Sequence, residues 1–150
     1  MRTYIMETIE KTTEFTAQEF WSFSLYAYGK NKVKEQLLMI QNDCQGNVNL
    51  SLMCLWLDTL GFKLPVEHFD QLEKALFPTT KLLILYRQSR RMAKVLVSEK
   101  EYQQLQDIEL TIEKKQQQDL IDNLPKEELK QHETPHNYAF YLSRLDERIV

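Results

Sequence analysis

Glycine is scarce in this chain: three stand among 150 residues, at 29, 46 and 61. A backbone loop that cradles phosphate needs several glycines close together, as in G-x-G-x-x-G or the Walker pattern, so that chemistry is excluded. Cysteine is scarcer still, with Cys44 and Cys54 alone. Two thiols are too few for a secreted disulfide scaffold and read as reduced side chains of a cytosolic protein. Long apolar runs are missing too. The longest, Leu50 to Leu57, falls far short of the ~20 residues that span a bilayer. The N-terminus lacks the run of about 7–15 apolar residues that marks a signal peptide. Glu7, Glu10 and Glu14 arrive early instead, and Met6 serves as a start as well as Met1. These absences predict a soluble, cytoplasmic protein without a membrane role.

Charge is unevenly spread. The formal net charge is −3, so the molecule as a whole is not an electrostatic nucleic-acid binder. Residues 1–97 hold 12 Lys/Arg against 10 Asp/Glu, whereas residues 98–150 hold 7 against 12. Any basic surface therefore belongs to the first part, and the tail is acidic.

Helical patterning runs almost throughout, with glycine and proline as punctuation. Thr16-Ala17-Gln18-Glu19 has the capping-box form, in which a hydroxyl takes the N3 amide and a carboxylate reaches back. It opens a helix bearing Phe20, Trp21, Phe23, Leu25, Tyr26 and Tyr28, which is expected to end at a left-handed Gly29. A second helix over about 31–44 sets Val33, Leu37, Leu38 and Ile40 on one side and stops at Gly46. Asn49 is the expected N-cap of a third, with Val48 as its staple. That third helix, 50–60, is apolar on nearly every side, which marks it as the buried centre.

Pro65 suits the first turn of a short helix through Leu76, with Phe69, Leu72 and Leu76 inward, and Pro78 is expected to end it. Thr79 or Thr80 then caps a longer helix to about Val97. On it Leu82, Leu85, Tyr86, Ser89, Met92, Ala93 and Leu96 follow the i, i+3, i+4, i+7 rule and predict its core face. Ser98-Glu99-Lys100-Glu101 is a second capping box and restarts the chain as a helix. Beyond Ile112 the run Glu113–Asp119 has no apolar side, which predicts a solvated or fraying stretch. The glutamines at 103, 104, 106, 116, 117 and 118 make this helix too polar to be buried. Its sparse seam of Tyr102, Leu105, Ile108 and Ile112 folds back on the core or pairs with a partner helix. Thr134 and Pro135 open a last helix with a stripe of Tyr138, Tyr141, Leu142, Leu145 and Ile149. No segment alternates with period two for long, so no strands are expected.

The fold class predicted is all-α: a compact bundle of five or six helices around helix 50–60. Residues 16–97 form the helical core domain, and 98–150 an acidic helical extension packing on it or projecting from it.

Three groups of residues bear on chemistry. His132-Glu133-Thr134-Pro135-His136 spells H-E-x-x-H, the zinc-protease pattern, which needs both imidazoles on one face of a continuous helix. Pro135 starts a helix more readily than it continues one, leaving His132 outside and His136 inside, and the match reads as coincidence. Cys44 has no histidine near it in sequence to form a thiolate, and Cys54 sits in the expected core. Arg87, Arg90, Arg91 and Lys94 fall at about 140°, 80°, 180° and 120° from Leu82, on one face opposite the predicted apolar stripe. They are read either as a solvated face paired with acids of 98–150, or as a strip that docks an acidic protein or a phosphate backbone. A nucleic-acid contact through that strip would weaken steeply with salt. Trp21, Tyr26 and Tyr28 are candidates for stacking bases, although aromatics at helical spacing usually serve the core.

Phe20-Trp21-Ser22-Phe23-Ser24-Leu25, Tyr28-Gly29, Val33, Leu37 and Gln41 resemble a group of short proteobacterial proteins of unknown function. The run from Gly46 to Leu57 carries the strongest likeness, and Arg87, Arg90 and Arg91 resemble the end of the shared region. The resemblance covers roughly residues 18–120 and implies a bacterial cytosolic setting, with no catalytic residues to assign. The leading expectation is a non-enzymatic interaction or regulatory module that docks an acidic partner on the Arg87/Arg90/Arg91/Lys94 face. Nucleic-acid or ribosome-associated binding through the same face is the alternative. A small-molecule enzyme comes third, because no acid–base pair, metal cluster or cofactor loop stands out.

Overall fold

The computed structural model of the chain describes residues 14–149. Met6 and the side chain of Ile149 lie outside the described residues. Six helices follow one another: α1 (Ala17–Tyr28), α2 (Asn31–Asp43), α3 (Val48–Leu60), α4 (Phe69–Ala93), α5 (Glu99–Asn123) and α6 (Asn137–Ile149). They pack as an all-α bundle. Two-residue strands β1 (Phe62–Lys63) and β2 (Lys130–Gln131), which the sequence pattern did not predict, pair antiparallel. They are two connectors drawn together where the His132 amide donates to the Gly61 carbonyl at 2.9 Å.

Helix α3 is the centre. Leu50, Leu52, Met53, Cys54, Trp56 and Leu57 are all buried, and α1, α2, α5 and α6 pack around them. Each such aliphatic or aromatic side chain contributes about 1.5–3 kcal/mol on burial. Phe20 stacks on Trp56 with ring centroids 5.1 Å apart. Gly61 ends the helix in the left-handed conformation, at φ 80°. The same core takes in Leu120, Ile121 and Leu124 after the polar stretch, and Tyr141 and Leu145 of α6.

Several local expectations are corrected. Thr16 caps α1 by accepting from the Glu19 amide at 3.2 Å, but Gly29 is right-handed, at φ −71°. After α2 the left-handed residue is Gln45. Gly46 is demanded instead by crowding: a Cβ there would run into Ile40 Cγ2 and lie 2.6 Å from Leu145 Cδ1. Leu38 faces outward. Asn47, two residues earlier than expected, caps α3 by accepting from the Leu50 amide at 2.8 Å, so Asn49 is released for another role. Pro78 does not end a helix; it lies inside α4. An internal proline costs about 3 kcal/mol. The helix continues because one face buries Phe69, Leu72 and Leu76 before the proline and Thr79 and Leu83 after it.

Helix α6 starts at Asn137, two residues later than the Pro135 start expected, because Asp58 of α3 supplies its cap. Arg144 of α6 in turn reaches Glu73 and Asp70 of α4, each at 2.6 Å. No helix among the described residues is long and apolar enough to cross a membrane.

Candidate functional site

Helices α4 and α5 run side by side in opposite directions, and the ion pairs along their seam locate the predicted cations. Arg87 donates to Glu113 at 3.3 Å. Arg90 donates to Glu109 at 2.6 Å and to the Tyr102 hydroxyl at 2.7 Å. Arg91 and Lys94 are exposed and make no ion pair among the described residues. The four cations therefore split into an inward pair and an outward pair.

The face of α4 that packs is turned by roughly 100° from the one the apolar spacing predicted. Its inward positions are Thr79, Leu83, Tyr86, Arg87 and Arg90, while Leu82, Leu85 and Met92 point to solvent; the helix ends at Ala93 rather than about Val97, which leaves Leu96 exposed in the following turn. The cause is the partner: α5 sets Tyr102, Glu109 and Glu113 beside the half-buried Leu105 and Ile112 along this seam, so arginines as well as apolar groups find partners there. Between Leu83 and Gln116 no residue is buried, so the distal halves of α4 and α5 form a two-helix arm. Its outer α4 face bears Leu82, Leu85 and Met92, and Val95 and Leu96 follow in the turn after the helix, the last three at least 75 % exposed.

At the root of the arm the polar stretch of α5 enters the core instead of fraying. Gln116 and Gln117 are each 1 % exposed. The Gln116 amide oxygen accepts from Asn49 Nδ2 at 2.8 Å and Asn47 Nδ2 at 3.1 Å, and its nitrogen donates to Thr79 and Thr80. Gln117 Nε2 donates to the Ser24 hydroxyl at 2.9 Å and to Asn49 Oδ1 at 3.0 Å. The Ser24 hydroxyl donates in turn to the Phe20 carbonyl at 2.8 Å. This network joins α1, α3, α4 and α5 through neutral groups, and it explains why Asn49 lies within α3 rather than at its cap. One atom is left over: Gln117 Oε1 is buried and accepts from no group among the described residues. An orphaned buried acceptor of this kind costs about 1–3 kcal/mol.

Beside the network lies a cavity of about 690 Å3 between the same four helices. Trp21, Leu25, Leu83 and Leu110 supply apolar wall, and Asn47, Asn49, Gln116 and Gln117 the polar part. The only charged residues on its border are Arg87 and Glu113, which neutralise one another. Burial pushes the Glu113 carboxyl above its ordinary range, and the Arg87 charge opposes that shift without cancelling it. Tyr28, also on the border, is raised by burial and by Glu113. Of the aromatics considered for stacking, Trp21 has Lys114 Nζ 5.0 Å from its ring centre. Tyr26 points away from the cavity, exposed under Lys30. Sequence reasoning missed this site because its signal, paired glutamines on an otherwise polar helix, is identical to that of a solvated one.

The remaining candidates are dispersed. His132 and His136 both precede α6, and His132 Nδ1 accepts from the Thr134 amide at 3.0 Å. His68 lies against Glu128. Among the described residues no three His, Cys, Asp or Glu side chains converge as metal ligands would. Cys44 ends α2, while Cys54 is fully buried and its thiol is pushed well up by burial and by Asp58.

No curated protein and no solved structure matches the chain. A model of the family described as Protein of unknown function (DUF2390) matches residues 19–120. That span takes in the Trp21 helix, all of α3 and the arm down to its amide-lined root, and the chain therefore belongs to this family.

Proposed function

We propose that the chain is a non-enzymatic interaction module that seats an amphipathic helix of another protein, with acidic flanks, on the outer face of α4. The observation that carries this reading is the exposed apolar row of Leu82, Leu85 and Met92 on α4, continued by Val95 and Leu96 in the turn after it, on an arm without buried residues. Exposed apolar patches of this kind mark interaction sites. Charge chooses the partner. No Asp or Glu stands between Glu73 and Glu99, while Lys74, Lys81, Arg91 and Lys94 are exposed and free of ion pairs among the described residues. A phosphate backbone is the weaker match, because it offers no apolar surface to cover Leu85 and Met92 and its affinity rests on cations alone. Here Arg87 and Arg90 are already occupied by glutamates.

A photo-crosslinking residue at position 85, with a control at Glu147 on α6, tests the proposal in host cells. The expected product joins position 85, and not 147, to another protein through a segment with an apolar stripe and Asp/Glu flanks. With that partner purified, Met92→Glu should weaken binding by tenfold or more, as truncating an interface anchor does, and Arg91→Glu should weaken it further at low salt than at high. A product joining two copies of this chain, or equal labelling from both positions, overturns the reading.

A further inference from the structure

We infer that the cavity at the root of the arm binds an amphipathic monocarboxylate, whose alkyl body enters between α1, α4 and α5 while its anionic head stays at the mouth on Lys114. The cavity is apolar both inside and where it opens. Leu52 and Leu83 are buried along it, whereas Leu25, Ile84 and Leu110 are 42–61 % exposed and so border the opening. A volume of about 690 Å3 lies within the range of about 300–1,000 Å3 typical of small-molecule sites, which are mostly apolar with a few polar groups.

Charge selects the head group. Lys114 follows Leu110 by four residues, so the two share the face of α5 that carries Glu113 and Gln117 to the cavity. Its Nζ lies 5.0 Å from the ring centre of Trp21, which lines the cavity. Lys34 Nζ lies 5.7 Å from the ring centre of Tyr28, seven residues further along the same face of α1. Both lysines are exposed and make no ion pair among the described residues. The one acid lining the cavity, Glu113, is already held by Arg87. An ammonium head therefore meets like charges and no free carboxylate. A carboxylate meets Lys114 beside apolar walls, where a charge-assisted hydrogen bond is strong. Thr80, Leu83, Ile84 and Arg87 supply the α4 side of the cavity, and at about 100° per residue they are turned away from Leu82, Leu85 and Met92. The site thus goes beyond the docking proposal and does not rest on it.

Calorimetric titration of the full chain with octanoate tests the inference, with octanamide and octylammonium as neutral and cationic probes of matching chain. The expected result is that octanoate binds and shifts the Trp21 indole and Leu110 amide resonances. Octanamide should bind roughly tenfold more weakly, the difference between a charged and a neutral hydrogen bond. Decanoate should bind roughly tenfold more tightly than octanoate, since two more methylenes leave water. Lys114→Glu, at an exposed position, should weaken octanoate tenfold or more and reverse its order with octylammonium. Met92→Glu, on the outer face of α4, should leave octanoate binding unchanged, which separates failure of this site from failure of the docking face. Equal affinity for the three head groups, unchanged octanoate binding in Lys114→Glu, its loss in Met92→Glu, or no binding at millimolar concentration overturns the inference.

Discussion

Asp58, near the end of α3, caps a helix that begins 79 residues later: its Oδ1 accepts from the Asn137 amide at 2.8 Å. Its Oδ2 accepts from the Tyr138 amide at 3.1 Å, so one carboxylate satisfies two of the free amides that open α6. Asn137 completes the junction by accepting from the Leu64 amide and donating to the Phe62 carbonyl. Asp58→Ala should destabilise the fold by about 1–2 kcal/mol, the usual value of a lost N-cap. Asp58→Asn should retain part of that. Urea unfolding measures both, and an unchanged midpoint for Asp58→Ala would show that the cap is energetically idle.

Tyr141 gives an alkaline signature. Burial raises its phenol to about 12, against the partial opposition of the Asn47 amide that donates to it at 2.9 Å. Between the ordinary value of 10.0 and about 12 the folded state keeps a proton that the unfolded state has lost. Stability therefore falls as pH rises through that interval. Tyr141→Phe should lower stability at neutral pH by roughly 1 kcal/mol, since the Asn47 amide loses its acceptor, yet show a shallower alkaline decline. Parallel curves for the two proteins would contradict the assignment.

Glu113 acts in the same sense at lower pH. Its carboxyl is raised above 4.5 by burial, so across the interval just above that value the folded state holds the extra proton and stability falls with rising pH. Glu113→Gln should flatten the pH dependence there. Chemical denaturation at a series of pH values, read as the difference between the two proteins, decides it.

The two thiols should separate cleanly. Cys54 is buried and its thiol is held protonated by its surroundings, whereas Cys44 is partly exposed at the end of α2. A thiolate-seeking reagent should label Cys44 in the native protein and both residues in denaturant. Rapid native labelling of Cys54 would mean that α3 opens locally.

The bundle itself was legible because α3, α6 and the Ser98 cap announce themselves through local pattern: an all-round apolar helix, a clean stripe and a hydroxyl–carboxylate box. What failed were inferences that depended on a neighbour. Pro78 reads as a stop unless both halves of α4 are already anchored on one face. The Leu82–Leu96 spacing reads as core unless the packing partner is known to carry Glu109 and Glu113. Gln116 and Gln117 read as solvated unless Asn49 and Ser24 are waiting to receive them. The arginine cluster was visible in sequence, but its division into two paired and two free cations was not, because the glutamates that decide it lie across a turn.

The buried amides also act as a vernier for α5. Slide that helix so that Lys115 takes the place of Gln116 and an ammonium, which can only donate, would meet the Asn47 and Asn49 amide hydrogens. Apolar contacts alone tolerate such slippage, since leucine packs on leucine in neighbouring settings. Carboxamides do not, because each must find both donors and acceptors where its neighbours supply them. The alignment of α5 is thus keyed by neutral groups that no change of pH or salt can unlock, and it holds the long lever of the arm at one angle to the body.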